Sequence, residues 1–491
     1  MAKSLATHVS YYTLANVLVT LAGVVSFPIL TRLLSVEEYG VMNLVATALA
    51  ILVGVAKLGV GNAALRFYSE VKAGKHGVDM NGYASTVIFG MGATGLAVTV
   101  VWAGAALLVP AAWWNDDRVG PLMSFTSLLV LVRVLDSALL NQMRAQEDSR
   151  EITYYSVIRR YFGLAVLLGT LFFISRDLWG FFVATVLAEA LATAGLALWL
   201  TRHVTVRPRL YSAPLFKAML AFGIPMAGYE LASQVLSMGD RYVIQRVLGA
   251  QPLGTYAAAY NLCDYVRAIF LASFTAAVLP MYARIWEEQG RDATVAFLES
   301  FLRNYVLVAV LLVAGLSAIG GEVLAFLASE KYRAGEVVVP YVIAGMSMDG
   351  LVMVAGAGLY VEKRSKTIMC LVAITAVLNI VLNVAWVARW GIVGSAVATL
   401  VSYAVLLALS MWVGRRRLPL RLPVGALAKF GAIGVLAYGA ASTIHLNHDL
   451  TTMIARSLTV AGLYAGLALA LDQGARSTVS DLHRRALAAL R

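Results

Sequence analysis

Eight charged residues fall inside stretches that are otherwise apolar, and they are the residues most able to do chemistry. Arginine offers a planar fork and lysine a point charge for an anion such as phosphate, whereas a carboxylate can take up a proton or Na⁺. Two pairs, Arg133 with Asp136 and Asp264 with Arg267, have i,i+3 spacing, so each could meet on one helix face. Each pair is either self-neutralising packing or part of a functional site. The full set is Lys57, Arg133, Asp136, Glu189, Glu230, Asp264, Arg267 and Asp349.

Helices that cross a membrane must position these residues. Of the 491 residues, 60% are hydrophobic and 13% are charged, which is about half the charged share of soluble domains. Apolar stretches long enough to span a bilayer follow one another along the chain. We predict an all-α integral membrane protein with about fourteen spans, near residues 10–33, 41–65, 83–109, 120–142, 154–175, 178–200, 215–238, 254–279, 301–327, 336–360, 367–388, 390–413, 424–444 and 453–471.

Several functional classes are disfavoured by composition. The net charge of +12 comes from basic residues at alternate span ends, so no nucleic-acid partner is expected. Cys263 and Cys370 lie inside predicted spans and suggest neither a disulfide nor a metal site. No nucleotide-binding, nucleophile or metal-ligand motif occurs, so we expect no metal, no cofactor and no enzyme activity. Residues 4–31 contain no Lys, Arg, Asp or Glu, and we expect them to remain as the first helix.

The distribution of Lys and Arg predicts the orientation in the membrane. With an inner N-terminus, the segments placed inside hold roughly threefold more Lys and Arg than those placed outside. We therefore predict that both termini are cytoplasmic.

A degenerate repeat organises the chain. TRLLSVEEYG at residues 31–40 recurs as QRVLGAQPLG at residues 245–254. Arg246 thus corresponds to Arg32, and Gly254 to Gly40, at a shift of 214 positions. A repeat of this kind predicts two lobes related by a pseudo-twofold axis along the membrane normal. The predicted parts are an N-terminal lobe (1–203, helices 1–6), a cytoplasmic linker (204–214), a C-terminal lobe (215–414, helices 7–12), helices 13 and 14 (424–471), and a cytoplasmic tail (474–491) with an amphipathic segment at 481–490.

Aligning the two halves at the same shift of 214 positions brings charged residues to similar places on duplicated helices. Arg267 maps onto Val53, one helical turn before Lys57, and Asp349 maps one position from Asp136. Charges placed at similar depth on duplicated helices indicate a cavity between the lobes. We predict that Lys57 and Arg267 face one another across a central cationic vestibule.

Three segments resemble the polysaccharide-transporter branch of the multidrug/oligosaccharidyl-lipid/polysaccharide exporter superfamily. They are FPILTRLLSVEEYGVMNL (27–44), LGVGNAALRFYSE (58–70) and DRYVIQRVLGAQPLGTYAAAYNL (240–262). The resemblance implies a flippase that moves undecaprenyl-diphosphate-linked oligosaccharides from the cytoplasmic to the outer leaflet by alternating access, driven by ion antiport. It also implies a bacterial inner membrane, and O-antigen, capsule or exopolysaccharide synthesis. Helices 13 and 14 favour a lipid-linked substrate, because related lipid II flippases have fourteen helices and multidrug antiporters usually have twelve.

The resemblance gives roles to the charged residues. We expect Lys57, Arg267 and Arg133 to contact the anionic headgroup, and one of five acids to carry a coupling H⁺ or Na⁺: Asp136, Asp264, Glu189, Glu230 or Asp349. The implied partners are the lipid-linked oligosaccharide, membrane lipids, and the glycan polymerase and chain-length proteins. The alternatives are a cation-coupled small-molecule exporter and a membrane-embedded polymerase or ligase of the same glycan pathway. The longest predicted outer connection, residues 110–120, is too short to build the active site of a polymerase.

Overall fold

The computed structural model describes residues 2–146, 149–362, 364–416 and 418–476, and the regular elements of these residues are helices. Ten helices within these ranges are long and apolar enough to cross a membrane. Large apolar side chains such as Val101 and Phe173 are 71% and 90% exposed, as surfaces that face lipid require. The predicted all-α membrane class is confirmed, whereas most of the predicted tail lies outside the described residues.

The first of two compact units comprises residues 1–257 and 372–391. Within it, α7 packs against α3, α4 and α9, and α8 packs against α1 and α9. Its helices are α1 (Ala2–Leu33), α2 (Val36–Lys57), α3 (Val60–Lys72), α4 (Met80–Leu108), α5 (Ala111–Trp114), α6 (Val119–Thr126), α7 (Leu128–Ala145), α8 (Ser149–Phe173), α9 (Leu178–Thr201), α10 (Ala213–Met238), α11 (Asp240–Leu248) and the start of α12 (Ala250–Phe270).

The second unit comprises residues 258–371 and 392–491. Its central element is α13, which packs against α14, α17 and α18. The helices that follow α12 are α13 (Ala272–Val323), α14 (Val339–Ala355), α15 (Ala357–Val361), α16 (Ser365–Gly414), α17 (Val424–Ser442) and α18 (Asp449–Leu471). A π turn and a 3₁₀ segment, Leu324–Ala328 and Glu330–Val338, connect α13 to α14.

The predicted second span, residues 41–65, is wrong as one continuous helix. It begins at Val36, where Ser35 and Glu38 form a capping box, and it breaks after Lys57. Leu58 and Gly59 have φ angles of 46° and 68°, which end α2 and start α3. Close packing explains the break, because a Cβ on Gly59 would lie 2.0 Å from the carbonyl oxygen of Gly223.

The predicted spans can be matched to the ten apolar helices and to three others. α16 is an apolar element of 50 residues that contains both predicted spans 367–388 and 390–413. Its backbone leaves helical geometry near the junction of these two spans, at Gly391, where φ is 60°. The other three are α1, α10 and α12, which lie near the predicted positions 10–33, 215–238 and 254–279. The apolar pattern therefore located the spans, although it did not locate their internal breaks.

The two copies of the repeat contact one another. A Cβ on Gly40 would lie 2.2 Å from the carbonyl oxygen of Ala250, and a Cβ on Gly254 would lie 1.9 Å from that of Val36. Val36 and Ala250 begin α2 and α12 and are themselves 214 positions apart. The contact is reciprocal, as a twofold relation between the copies requires, and only glycine allows the two backbones to approach so closely.

Polar contacts tie the last two helices to α13 at both ends. Arg456 of α18 donates to Glu322 of α13 at 2.7 Å, and to the carbonyl of Ala318 at 3.1 Å. At the opposite end, the buried Asp472 accepts from Arg303 of α13 and, at 3.0 Å, from Lys429 of α17. These contacts hold α13, α17 and α18 together as one three-helix group.

The electrostatics of Asp472 match its role in this group. Desolvation favours the neutral acid, but hydrogen bonds from the Ala475 backbone and Lys429, together with the charge of Arg303, leave the pKa of Asp472 below its ordinary value. The carboxylate therefore stays ionised, and both ion pairs persist at neutral pH.

Replacing Gly254 with Ala should force the starts of α2 and α12 apart, because the new methyl group would overlap the Val36 carbonyl. We expect a loss of about 1–3 kcal/mol of unfolding free energy, measured as a lower thermal midpoint of the purified protein. Gly104→Ala is the matched control, since a Cβ there meets no atom within 4 Å. A Gly254→Ala protein as stable as this control would contradict the contact.

Candidate functional site

Four charged side chains from three helices meet inside the first unit. Arg133 of α7 forks onto Glu189 of α9, with Nε and Nη2 at 2.9 and 2.8 Å from its two carboxylate oxygens. Arg159 of α8 donates to Asp136 of α7 at 2.6 Å and to Glu189 at 3.2 Å. The Tyr155 hydroxyl also donates to Asp136. We call Arg133, Asp136, Arg159 and Glu189 the α7–α9 charge cluster.

The predicted pairing of Arg133 with Asp136 is wrong. Although i,i+3 spacing puts them near one another on α7, each finds a better partner on a neighbouring helix. Asp136 is only 3% exposed, and the two hydrogen bonds that it accepts offset the cost of burying its charge. With two guanidinium groups and two carboxylates, the cluster is neutral overall.

Arg159 is the member of the cluster that sequence reasoning missed. The predicted fifth span began at residue 154, which placed Arg159 near the membrane surface. In the structure α8 begins at Ser149, so Arg159 lies nearly three turns inside the helix. The signal that could have identified it is the spacing of Tyr155 and Arg159, which puts both on one face of α8.

Lys57 is the last residue of α2 and lies at the break between α2 and α3. The final carbonyls of a helix lack partners within it, and a cation there is favourable. Interrupted helices in membranes are tolerated where the irregular backbone is buried in protein or lines a cavity. Half-helix ends at such breaks commonly bind the charged groups of transported substrates.

Lys57 has no ion-pair partner among the described residues. The carboxylates of Glu230 on α10 and Asp136 exert a favourable electrostatic influence on Lys57, and that of Glu230 is the larger. Glu230 itself accepts a hydrogen bond of 2.8 Å from Asn62 of α3, a second residue that sequence reasoning missed. The half-buried ammonium of Lys57 therefore retains its capacity to bind an anion.

The second unit holds a smaller group of charges, which we call the α12–α14 charge cluster. Arg267 donates to Asp264 through Nε and Nη2, at 3.0 and 2.7 Å, so this predicted i,i+3 pair forms. Its Nη1 lies 3.8 Å from a carboxylate oxygen of Asp349 on α14. One guanidinium group thus lies beside two carboxylates, and the formal charges of the three residues sum to one negative charge.

The structure distributes the eight predicted site residues between the two units. Lys57, Arg133, Asp136, Glu189 and Glu230 lie in the first, and Asp264, Arg267 and Asp349 lie in the second. The central vestibule predicted between Lys57 and Arg267 stays a prediction. Within the described ranges, no three His, Cys, Asp or Glu side chains come together as a metal site requires.

The second unit also contains an apolar cavity of about 630 Å³. Its walls come from α13, α14, α16 and α17, and include Val310, Ala314, Met348 and Val435. A cavity of this size and polarity suits a hydrocarbon chain rather than a charged or sugar group.

The chain is similar in sequence to a known protein family and in fold to solved transporter structures. The profile of the family described as polysaccharide biosynthesis protein matches residues 5–286. Succinoglycan biosynthesis transport protein ExoT from Rhizobium meliloti (strain 1021) is 24% identical over 286 residues, which are 58% of this chain and 54% of ExoT. The chain therefore spans about half the length of that relative.

Solved structures share the fold at low sequence identity. Lipid II flippase MurJ in an inward closed conformation has a TM-score of 0.74 at 12% identity, covering 94% of this chain and 98% of MurJ. An inward-facing multidrug resistance transporter of the MATE family has a TM-score of 0.69 at 14% identity. The match covers 82% of this chain and 94% of the transporter.

Removing the charge of Arg159 should destabilise the first unit, because the buried Asp136 would lose its cation. We expect Arg159→Gln to cost about 2–3 kcal/mol, measured by thermal or denaturant unfolding. Arg160→Gln, at the next position of α8, is the matched control, and we expect a change within about 0.5 kcal/mol.

The double variant Arg159→Gln/Asp136→Asn should recover part of that loss, since it leaves no unpaired charge on Asp136. An Arg159→Gln protein as stable as its control, or a double variant with fully additive losses, would contradict the pairing.

Proposed function

Because more than half of its residues match the family profile, the chain belongs to the polysaccharide biosynthesis protein family, and we propose that it is a flippase. Its substrate would be an undecaprenyl-diphosphate-linked oligosaccharide, moved from the cytoplasmic to the outer leaflet for O-antigen, capsule or exopolysaccharide synthesis. ExoT is a transport protein of succinoglycan biosynthesis and MurJ flips lipid II, and both roles support this assignment.

The observation that carries the proposal is Lys57. A half-buried ammonium without an ion-pair partner, at the break of a membrane helix, is costly unless an anion or water compensates it. The diphosphate of a lipid-linked sugar is such an anion. Arg133 is a weaker candidate for this contact, because Glu189 already occupies its guanidinium fork.

The lipid tail of the substrate would lie in the apolar cavity of the second unit. α17 lines this cavity, and the contacts of Arg456 and Asp472 fix the α17–α18 pair to α13, which lines it as well. α17, which α18 holds in place, would therefore supply a hydrocarbon-binding wall. This supports a lipid-linked substrate over a free hydrophilic one.

The coupling ion would bind at the α12–α14 charge cluster. Arg267 neutralises one of its two carboxylates, and a proton or Na⁺ would neutralise the other. We assign the coupling role to Asp349, because Asp264 makes the shorter contacts with Arg267. By contrast, Asp136 and Glu189 already form ion pairs with arginines, and Glu230 accepts a hydrogen bond from Asn62.

Alternating access would use the contact between the copies of the repeat. In the predicted orientation Gly40 and Gly254 lie toward the outer surface, so their contact would close the outer side. Its separation would then let the headgroup leave. The close approach is between glycine and backbone carbonyl groups, so separating them would break no ion pair.

A cation-coupled small-molecule exporter is the second candidate, favoured by the fold shared with the MATE transporter. Transport rather than catalysis is common to both candidates. As a flippase the protein would reside in a bacterial inner membrane with both termini in the cytoplasm. Its partners would be membrane lipids, the glycan polymerase and the chain-length proteins.

Removal of the Lys57 charge should slow flipping. In vesicles that contain the purified protein and a defined lipid-linked oligosaccharide, we expect Lys57→Gln to reduce the initial rate about tenfold or more, because a hydrogen bond to a charged group is lost. Lys57→Arg should retain most of the rate. Lys72→Gln, at the exposed end of α3, is the matched control.

A Lys57→Gln protein that flips as fast as the wild type would refute the headgroup contact. Failure of the wild type to flip any lipid-linked oligosaccharide, together with efflux of a cationic drug, would favour the exporter instead.

Asp349→Asn should uncouple transport from the ion gradient. We expect the variant to bind substrate normally, while its flipping rate no longer responds to an imposed proton or Na⁺ gradient, because the amide cannot change its charge. Asp292→Asn, an exposed acid of α13, should respond as the wild type does. An unchanged gradient response in Asp349→Asn would exclude this residue as the coupling acid.

A further inference from the structure

The first unit contains a charged cavity that the proposed transport mechanism does not use. It has a volume of about 480 Å³, lies among α1, α7, α8 and α9, and is not lined by Lys57. Three guanidinium groups and one carboxylate line it, from Arg133, Arg159, Arg160 and Glu189. Its volume falls within the range of about 300–1,000 Å³ that is typical of small-molecule sites.

Two of the three arginines are neutralised by protein groups. Arg133 is held by Glu189, and Arg159 is shared between Glu189 and Asp136. These are the four members of the α7–α9 charge cluster, whose formal charges cancel. Through Arg133, Arg159 and Glu189 the cluster forms a polar wall of the cavity, and it provides no carboxylate to pair with the third arginine.

Arg160 supplies the uncompensated charge. It lies in the middle of α8, lines the cavity, and has no hydrogen-bond or ion-pair partner among the described residues. α1, which also lines the cavity, contains no Asp or Glu in its sequence. The Arg160 side chain is exposed, so its guanidinium group is accessible to an anion from outside the protein.

The rest of the wall indicates the kind of anion. Val19, Leu30, Leu164 and Leu167 line the cavity beside Arg160, so a ligand there would meet hydrocarbon as well as charge. Gly163, one turn from Arg160, leaves room, since a Cβ there would meet no atom within 4 Å. A guanidinium next to an apolar wall matches a phosphate group that carries a hydrocarbon chain.

We propose that this cavity is a second binding site, in which Arg160 binds the phosphate of an amphipathic lipid. The ligand is either a phospholipid headgroup or the diphosphate of a polyprenyl lipid, which present the same chemistry to Arg160. The site is separate from Lys57, and its test measures binding rather than transport. It can therefore stand if the flippase assignment fails.

The experiment counts bound ligands on the full chain in detergent by native mass spectrometry. The probes are inorganic phosphate, dihexanoyl phosphatidylglycerol and farnesyl diphosphate, with farnesol as the uncharged control. We expect Arg160→Gln to weaken the binding of one probe molecule per chain by about tenfold or more. Gly163→Leu should do the same by filling the cavity without changing any charge.

Two matched controls keep the result specific. Arg176→Gln removes a charge just beyond the end of α8, and Gly169→Leu adds the same bulk to α8 at a glycine that does not line the cavity. Both should bind the probes as the wild type does. Equal thermal midpoints for all four variants would show that lost binding is not lost folding.

The pattern of probes identifies the source of the phosphate. Arg160-dependent binding of phosphatidylglycerol supports a phospholipid headgroup, and binding of farnesyl diphosphate supports a polyprenyl diphosphate. If no probe binds saturably, if only inorganic phosphate binds, or if Arg160→Gln and Gly163→Leu both bind as the wild type does, the proposal is overturned.

Discussion

A charged group inside a bilayer is costly unless a protein group, a ligand or the water of a cavity meets it, because no bulk water is available there. This constraint explains the most unusual features of the first unit. Arg159 crosses from α8 to carboxylates on α7 and α9, and so joins three helices by charge. The break after Lys57 is tolerated because Gly59 packs on the Gly223 backbone and Asn62 reaches Glu230. The polar contacts therefore fix which helices must be neighbours.

Both charge clusters pair charged side chains inside membrane helices, but they differ in their numbers of cations and carboxylates. In the α7–α9 cluster two cations meet two carboxylates, which gives a closed arrangement that is suited to holding helices together. In the α12–α14 cluster one arginine meets two carboxylates, which leaves one formal negative charge unmatched. The two clusters therefore differ in net formal charge, although each brings charged side chains of neighbouring helices together.

The sequence predicted those features that depend on local pattern. It predicted the apolar spans, the Asp264–Arg267 pair and the equivalence of Gly40 with Gly254, since each is encoded in composition or spacing. It did not predict that Arg133 turns to Glu189, because the choice between partners depends on which helices pack together. The break at Leu58 and Gly59 was missed for a similar reason: the apolar run continues through it, and only the approach of Gly223 requires it.

The reciprocal contact of Gly40 and Gly254 has the form of an isologous interface, in which the same patch meets itself across a twofold axis. In a dimer of identical half-length chains, one substitution would alter both sides of that interface at once. Within one continuous chain each side can change alone. Seven of the ten positions have accordingly diverged, from TRLLSVEEYG to QRVLGAQPLG, while the glycine, one Arg and one Leu are common to both. Joining the halves in a single polypeptide thus frees each to specialise, and the backbone contact between them is the part that must remain symmetric.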